Sequence, residues 1–216
     1  MGTIELLNAD CMTYMAGCED NAFDLAICDP PYRAENQPDQ TMRKYDAVGM
    51  KEWARPPEAG YFDEVQRVSR DLILWGGNYF TEHLPPNNNW IVWYKNNDGT
   101  HLSMAELAWS SIRRNVKVFE LRPMGLTAKF HPTSKPVALY TWLLVNYAKP
   151  GQRILDTHLG SGSSAIAAHY FGCDFVGTEL DPDYYAAAVE RFNNETSQAQ
   201  LFEPEPEQTA EQGALL

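Results

Sequence analysis

The sequence predicts an α/β fold, on three observations. Short apolar runs alternate with stretches of helical spacing along most of the chain. Three of the runs, Phe23–Cys28, Arg153–Asp156 and Asp174–Glu179, end in an acid or run straight into one. Ligands of open α/β sheets bind just beyond such carboxyl ends. Between the last two runs lies Gly160-Ser161-Gly162-Ser163-Ser164, followed by the small-residue stretch Ala165–Phe171. Strand, Gly-x-Gly turn, helix, strand and acid make up a βαβ nucleotide-binding unit.

In chain order, Ile4–Leu7 reads as a short strand, Asn8–Cys11 as its turn and Met12–Ala16 as a short helix. Phe23–Cys28 is almost unbroken apolar sequence after Asp24, as expected of a strand covered on both faces. Residues 33–57 are polar, contain Pro38, Gly49, Pro56 and Pro57, and show no period, which predicts a long loop. Tyr61, Phe62, Val65 and Val68 have helical spacing. Asp71–Trp75, Trp90–Tyr94, Glu106–Ser110 and Val116–Phe119 read as strands. Lys135-Pro136 opens a helix through Tyr147, with proline near the first turn. A last helix is expected over Asp183–Asn193. From Glu195 the sequence turns to Gln, Glu, Pro and Thr, which predicts one domain over 1–194 and a disordered acidic tail over 195–216.

Composition narrows the class. A chain of 216 residues suffices for one domain with a sizeable core. No apolar run reaches membrane-spanning length, and the N-terminus lacks the pattern of a signal peptide, so a cytoplasmic protein is expected. Cys11, Cys18, Cys28 and Cys173 form no C-x-x-C pair and no zinc spacing, so reduced thiols and no metal are expected. The net charge of −12 argues against a nucleic-acid partner until its distribution is considered. Residues 33–137 hold 14 Lys and Arg against 12 Asp and Glu, and the remainder holds 3 against 17. Between Arg113 and Lys135 six basic residues face a single acid, Glu120. Phosphate binding follows local potential, so a basic insert in an acidic body is compatible with nucleic acid.

Two constellations carry the chemistry. Asp29-Pro30-Pro31-Tyr32, after the strand Phe23–Cys28, offers a carboxylate, a rigid carbonyl and a flat apolar face close together, which suits a planar ligand bearing an NH2 group. In the second, the Gly-x-Gly turn lets backbone approach a ligand, and Glu179 stands about 20 residues on, where ribose hydroxyls need an acceptor. The turn lacks a third glycine and the Gly-Lys-Ser/Thr of a P-loop, so an adenosine ligand without a pyrophosphate fits better than NAD or ATP.

Together with His131-Pro132-Thr133-Ser134-Lys135-Pro136 and Leu155-Asp156-Thr157-His158-Leu159-Gly160, these motifs resemble the beta-type amino-DNA methyltransferases, in which the catalytic motif precedes the cofactor motif. The resemblance spans roughly Ile4 to Phe192. It implies a Rossmann-like, mostly parallel seven-stranded sheet with helices on both faces, circularly permuted motif order and S-adenosylmethionine as cofactor. It further implies catalysis by Asp29, Pro30, Pro31 and Tyr32, with Asp29 also bordering the cofactor, and a cofactor loop of Asp156, Gly160, Ser161 and Gly162. Ser163, Ser164 and Lys135 would lie near the methionine carboxylate, Glu179 at the ribose, and Asp10 and Cys11 beside the adenine. The chain departs from the family at Thr157-His158, where Pro-Phe is usual, and at Ser134, where Gln is usual. His158 then replaces the aromatic that packs on the methionine part.

An acid heading the tetrapeptide resembles the adenine-modifying members, which implies transfer to the N6 amine of adenine in DNA after the base is rotated out of the duplex onto Tyr32. The alternatives are N4-cytosine or RNA amino-methylation, or a non-catalytic cofactor- or DNA-binding subunit. Segments 33–57 and 113–130 are the expected DNA contacts, through Arg33, Arg43, Lys44, Arg113, Arg114, Lys117, Arg122 and Lys129. The resemblance also suggests a homodimer in a bacterial or phage-encoded protein. Gln198-Ala199-Gln200-Leu201-Phe202 resembles the Gln-x-x-Leu-Phe peptides that bind bacterial sliding clamps.

Overall fold

All eight stretches with strand character enter one sheet. In the chain's computed structural model, residues 2–32, 55–97, 99, 103–122, 128, 130–131 and 133–200 are described. Among them the strands are β1 (Ile4–Asn8), β2 (Phe23–Cys28), β3 (Ser69–Trp75), β4 (Trp90–Tyr94), β5 (Ala105–Ser110), β6 (Lys117–Glu120), β7 (Arg153–Asp156) and β8 (Asp174–Glu179). Their order across the sheet is β1-β8-β7-β2-β3-β5-β4-β6, eight strands where seven are expected. Among the described strands, β5 alone runs antiparallel to its neighbours, β3 and β4. β6 is the added edge, parallel to β4.

Among the described residues, five α-helices cover the two faces: α1 (Cys11–Ala16), α2 (Ala59–Val68), α3 (Val137–Tyr147), α4 (Ser163–Phe171) and α5 (Pro182–Gln200). The period-two pleat sorts the apolar residues of each strand. Leu25, Ile27, Ile73, Trp75, Ile91 and Trp93 point to the layer holding Leu139, Leu143 and Leu144 of α3 and Ala165 and Ala168 of α4. Ala26, Cys28, Leu72 and Leu74 point the other way, onto Met15 of α1 and Phe62, Val65 and Val68 of α2. Each large side chain buried this way contributes about 1.5–3 kcal/mol. A sheet covered on both faces explains why the central strands read as continuous apolar runs.

α5 continues to Gln200, past its expected end at Asn193. Arg191 pairs with Glu195 across one helical turn, and the Tyr170 hydroxyl donates to the Glu195 carbonyl, so the start of the expected tail is helical. Gln198–Gln200 of the clamp-like peptide fall in this helix, and Leu201 and Phe202 lie outside the described residues.

β7 and β2 are neighbours, with Leu25 opposite Ile154 and Ala26 opposite Leu155. From β7 the chain passes through α4 to β8 on one side; from β2 it passes through α2 to β3 on the other. This reversal is the topological switch point, where open α/β sheets hold their ligands.

Candidate active site

The site grows from the carboxyl ends of β2, β7, β8 and β1. On the β7 side, Gly160 and Gly162 both have positive φ, +52° and +76°, and turn the chain into α4 with bare backbone. Buried Asp156 fixes this turn. It accepts from the Ser164 hydroxyl (2.6 Å) and the His158 backbone N–H (3.0 Å). Burial pushes its carboxyl up to about 7, with the Ser164 and His158 hydrogen bonds opposing. Glu179 accepts the Gly160 N–H (2.8 Å) on one oxygen and the Asp181 N–H (2.9 Å) on the other. Each oxygen keeps a further lone pair for a ligand hydroxyl. β1 lies beside β8, Asn8 opposite Glu179, which brings Asp10 and Cys11 to the same rim. Asp10 there caps α1 through the Thr13 N–H (2.8 Å).

His158 packs edge-on against Tyr61 (5.4 Å between centroids), and its Nδ1 lies 2.9 Å from the Thr157 hydroxyl, which in turn meets the Tyr61 hydroxyl at 2.7 Å. Burial lowers the imidazole to about 4, so it stays neutral near pH 7. Ser161 lies under the Ser134 hydroxyl (2.8 Å). Arg191 of α5, not anticipated from sequence, donates to the Ser161 carbonyl and the Ser163 hydroxyl, both at 2.9 Å, and so clamps the loop from outside.

On the β2 side, Asp29 is held on one oxygen only. Its Oδ2 accepts from Lys135 Nζ, while its buried Oδ1 has no hydrogen-bond partner among the described residues. An unpaired buried carboxylate oxygen is costly, so such an atom at a strand end marks a place for a donor. Burial raises the Asp29 carboxyl above the usual range, with Lys135 opposing. Lys135 has only 2% of its side chain exposed and also reaches Glu106 Oε2 (3.2 Å). Burial disfavours its charge, but Asp29 and Glu106 outweigh it and keep the ammonium charged. Lys135, expected near a methionine carboxylate, is thus paired with the acid of the tetrapeptide.

The Tyr32 ring lies on Gly76, whose φ is +69°; a Cβ there would occupy the space of the ring. One face stacks on Tyr79 (5.1 Å, 16°), which is 45% exposed. The Tyr32 hydroxyl donates to Glu106 Oε2 (3.1 Å). Glu106, Tyr79 and Trp75, whose ring lies under Lys135 Nζ (5.3 Å), were not singled out in the sequence. Trp75 carried a signal all the same, since it ends an apolar strand and runs into Gly76-Gly77.

The basic residues divide. Arg33, Arg43, Lys44 and Lys129 lie outside the described residues. Arg122 follows the carboxyl end of β6 and is exposed. Arg113, Arg114 and Lys117 lie at the other end of the sheet. β5 is antiparallel, so the chain leaves it beside the start of β3, where Ser111 bonds Leu72 and Asp71. There Arg114 sits over the Tyr147 ring (5.4 Å) and Lys117 donates to Asn146 (2.9 Å). Among the described residues, no group of His, Cys, Asp and Glu is arranged to hold a metal, and no helix is long and apolar enough to cross a membrane.

Fold and site together define an α/β protein with a glycine-turn cradle beside a buried carboxylate. The DNA methylase family of N6 and N4 enzymes matches residues 69–190, more than half of the sequence, and the chain belongs to that family. It is 24% identical over 241 aligned residues to the type II methyltransferase M2.MboI of Moraxella bovis, with 88% of each chain covered. Its fold is similar to that of M1.HpyAVI, solved in complex with S-adenosylmethionine (TM-score 0.62, 18% identity, 88% of this chain and 100% of that one). The cytosine-N4-specific PvuII DNA methyltransferase is also similar (TM-score 0.60, 12% identity, 94% of both chains).

Proposed function

We propose that this DNA methyltransferase moves a methyl group from S-adenosylmethionine to the exocyclic N6 amine of adenine. The observation that carries the reading is the buried Oδ1 of Asp29 at the switch point, which has no hydrogen-bond partner among the described residues. The residues suit this cofactor. The glycine turn leaves room for its methionine part, Glu179 retains lone pairs for ribose hydroxyls, and Asp10 and Cys11 border the same rim. When bound, it supplies a methyl group activated on a sulfonium.

The chain's task is to make a poor nucleophile usable. The lone pair of an adenine amine is delocalised into the ring. Asp29 Oδ1 accepts one of its N–H groups, and the Pro30 carbonyl is suited to accept the other. Both bonds favour a pyramidal nitrogen with a localised lone pair. Lys135 fixes the opposite oxygen, so Oδ1 is the acceptor left for the amine. After transfer the nitrogen sheds a proton, for which the raised basicity of Asp29 makes Oδ1 a ready acceptor. Alignment and exclusion of water do the rest. The base must leave the duplex stack, and the Tyr32–Tyr79 pair offers aromatic surface worth about 1–3 kcal/mol per base.

The adenine preference rests on the acid at position 29. The fold likeness to a cytosine-N4-specific enzyme keeps N4-cytosine as the second reading. Incubating the chain with methyl-tritiated S-adenosylmethionine and unmethylated DNA, then analysing nucleosides by mass, separates the two. N6-methyladenine is expected, and N4-methylcytosine would overturn the adenine assignment.

A further inference from the structure

Glu106 ties the two ends of the tetrapeptide together. It sits near the start of β5, opposite Trp93 of β4. The reversed direction of β5 carries it to the carboxyl ends of the parallel strands. Its Oε1 accepts from Lys95. Its Oε2 accepts from the Tyr32 hydroxyl (3.1 Å) and from Lys135 (3.2 Å), and Lys135 holds Asp29 Oδ2. One carboxylate therefore holds the Tyr32 hydroxyl directly and the amine acceptor through a single ammonium.

The geometry points to Glu106 as the positioning residue of the methyl transfer, setting the placement of the Tyr32 ring relative to Asp29 Oδ1 and sharing the Lys135 charge so that Asp29 keeps its strength as an acceptor. This rests on the methyl-transfer reading of the site. Two physical arguments support it. First, Tyr32 is fixed at three points: Gly76 beneath the ring, Tyr79 on one face and Glu106 at the hydroxyl. The first two permit sliding in the ring plane, and among the described contacts of Tyr32 the directional hydroxyl bond to Glu106 opposes it. A misplacement of about 1 Å at such a point costs on the order of a hundredfold in rate. Second, an ammonium bound to one carboxylate alone would draw charge from it. With two carboxylates, Lys135 is divided between them. Burial pushes Glu106 up, but Lys135 and Lys95 pull it down to about 2, so it remains an anion throughout the working range. Among the described residues, the charged and titratable groups facing Asp29 are Lys135, Glu106, Lys95 and Tyr32, with Asp156 from β7 and Tyr140 from α3. Of these, Glu106 is the anion that shares Lys135 with it.

The test is Glu106→Gln, Tyr32→Phe and the double variant, each measured for kcat and KM with tritiated cofactor and unmethylated DNA across pH, and for thermal midpoint. Glu106→Gln is expected to lower kcat at least about tenfold with the cofactor KM nearly unchanged. It should also move the acid limb of kcat to lower pH, because Asp29 then loses the neighbouring negative charge that raises it. Tyr32→Phe, which removes only the hydroxyl, should make the second substitution cost less than it does alone. An infrared titration of the Asp29 carboxyl, assigned by subtracting Asp29→Asn, should show the same downward move without turnover. An active wild type whose Glu106→Gln variant keeps its kcat within twofold and its acid limb in place overturns the proposal. So does a kcat loss additive with Tyr32→Phe. A wild type that methylates no nucleic acid overturns the methyl-transfer reading itself, and the catalytic role of Glu106 with it.

Discussion

At the amino ends of the strands, charged side chains meet close, local partners; at the carboxyl ends they are buried and shared. Asp24 accepts the Arg153 N–H (2.9 Å) and faces Arg70. Arg67 binds Asp20, Glu64 and the carbonyls of Met15 and Cys18. Among the described residues, no buried side-chain polar atom at that end lacks a hydrogen-bond partner. At the carboxyl ends, Asp29, Glu106 and Lys135 share one cluster, Asp156 and Glu179 are buried, and Asp29 Oδ1 and His131 Nδ1 have no partner among the described residues. Natural folds retain such arrangements where a site requires them. The contrast predicts that equivalent substitutions at the two ends affect different properties.

The largest effect is expected from aspartate removal. Asp29→Ala should lower kcat at least about a hundredfold, comparable to deleting one transition-state hydrogen bond in other enzymes, with cofactor affinity nearly retained. Lys135 keeps Glu106 as partner, so the fold survives. Asp24→Ala should leave kcat unchanged and lower stability by about 1 kcal/mol. Tritium transfer and urea unfolding on both variants check this. Equal loss of kcat would abolish the distinction between the ends.

The second effect is on stability against pH. Burial raises Asp156 to about 7 from an ordinary 3.8. A folded carboxyl of raised pKa binds a proton that the unfolded chain has released. Its stabilisation is therefore full below about pH 4 and lost as pH rises through 7. Asp29 and Glu179, raised by burial, act with the same sign. Glu106, lowered to about 2 from 4.5, acts oppositely, and its contribution is lost as pH falls through that window. Asp156→Asn should flatten the decline in urea midpoint between pH 4.5 and 7. An unchanged slope would mean that Asp156 is not the group responsible.

Glycine gives a third comparison. Gly160 in the turn from β7 to α4 and Gly151 before β7 both have positive φ, +52° and +80°. Alanine at either costs about 1–2 kcal/mol of backbone strain. At Gly151 a methyl group meets nothing within 4 Å, whereas at Gly160 it lies 3.1 Å from His131 Nε2. Calorimetry should show S-adenosylmethionine binding about tenfold weaker for Gly160→Ala, one tenfold step being about 1.4 kcal/mol, and unaltered for Gly151→Ala.

Much of this was legible from sequence. The strands announced themselves because a doubly covered sheet demands apolar residues on both faces, and Asp29, Asp156 and Glu179 stood where such strands end. Strand direction was not legible. Glu106–Ser110 has the composition of a strand, and composition does not encode antiparallel pairing with β3 and β4. That reversal had two consequences: Glu106 entered the site unanticipated, and Arg113 and Arg114, adjacent to good motifs in sequence, were carried to the far end.

Direction also governs the smallest predicted effect, on DNA affinity. Arg113 and Arg114 follow β5 and lie beside the start of β3, whereas Arg122 follows β6 at the end where Asp29 lies. On the proposed reaction, DNA delivering a base to Asp29 approaches that second end. Arg122→Ala should weaken binding a few-fold and reduce the salt slope by about one counterion. Arg113→Ala with Arg114→Ala should leave both unchanged, although it removes twice the charge. Long-range attraction to net charge predicts the reverse order, since it depends on how many charges are lost and little on which end holds them. Affinities of both variants for the same duplex at several salt concentrations decide between local contact and diffuse attraction. A larger slope change for the Arg113 and Arg114 pair would move the DNA path to the amino ends of the strands, away from the carboxylate it must reach.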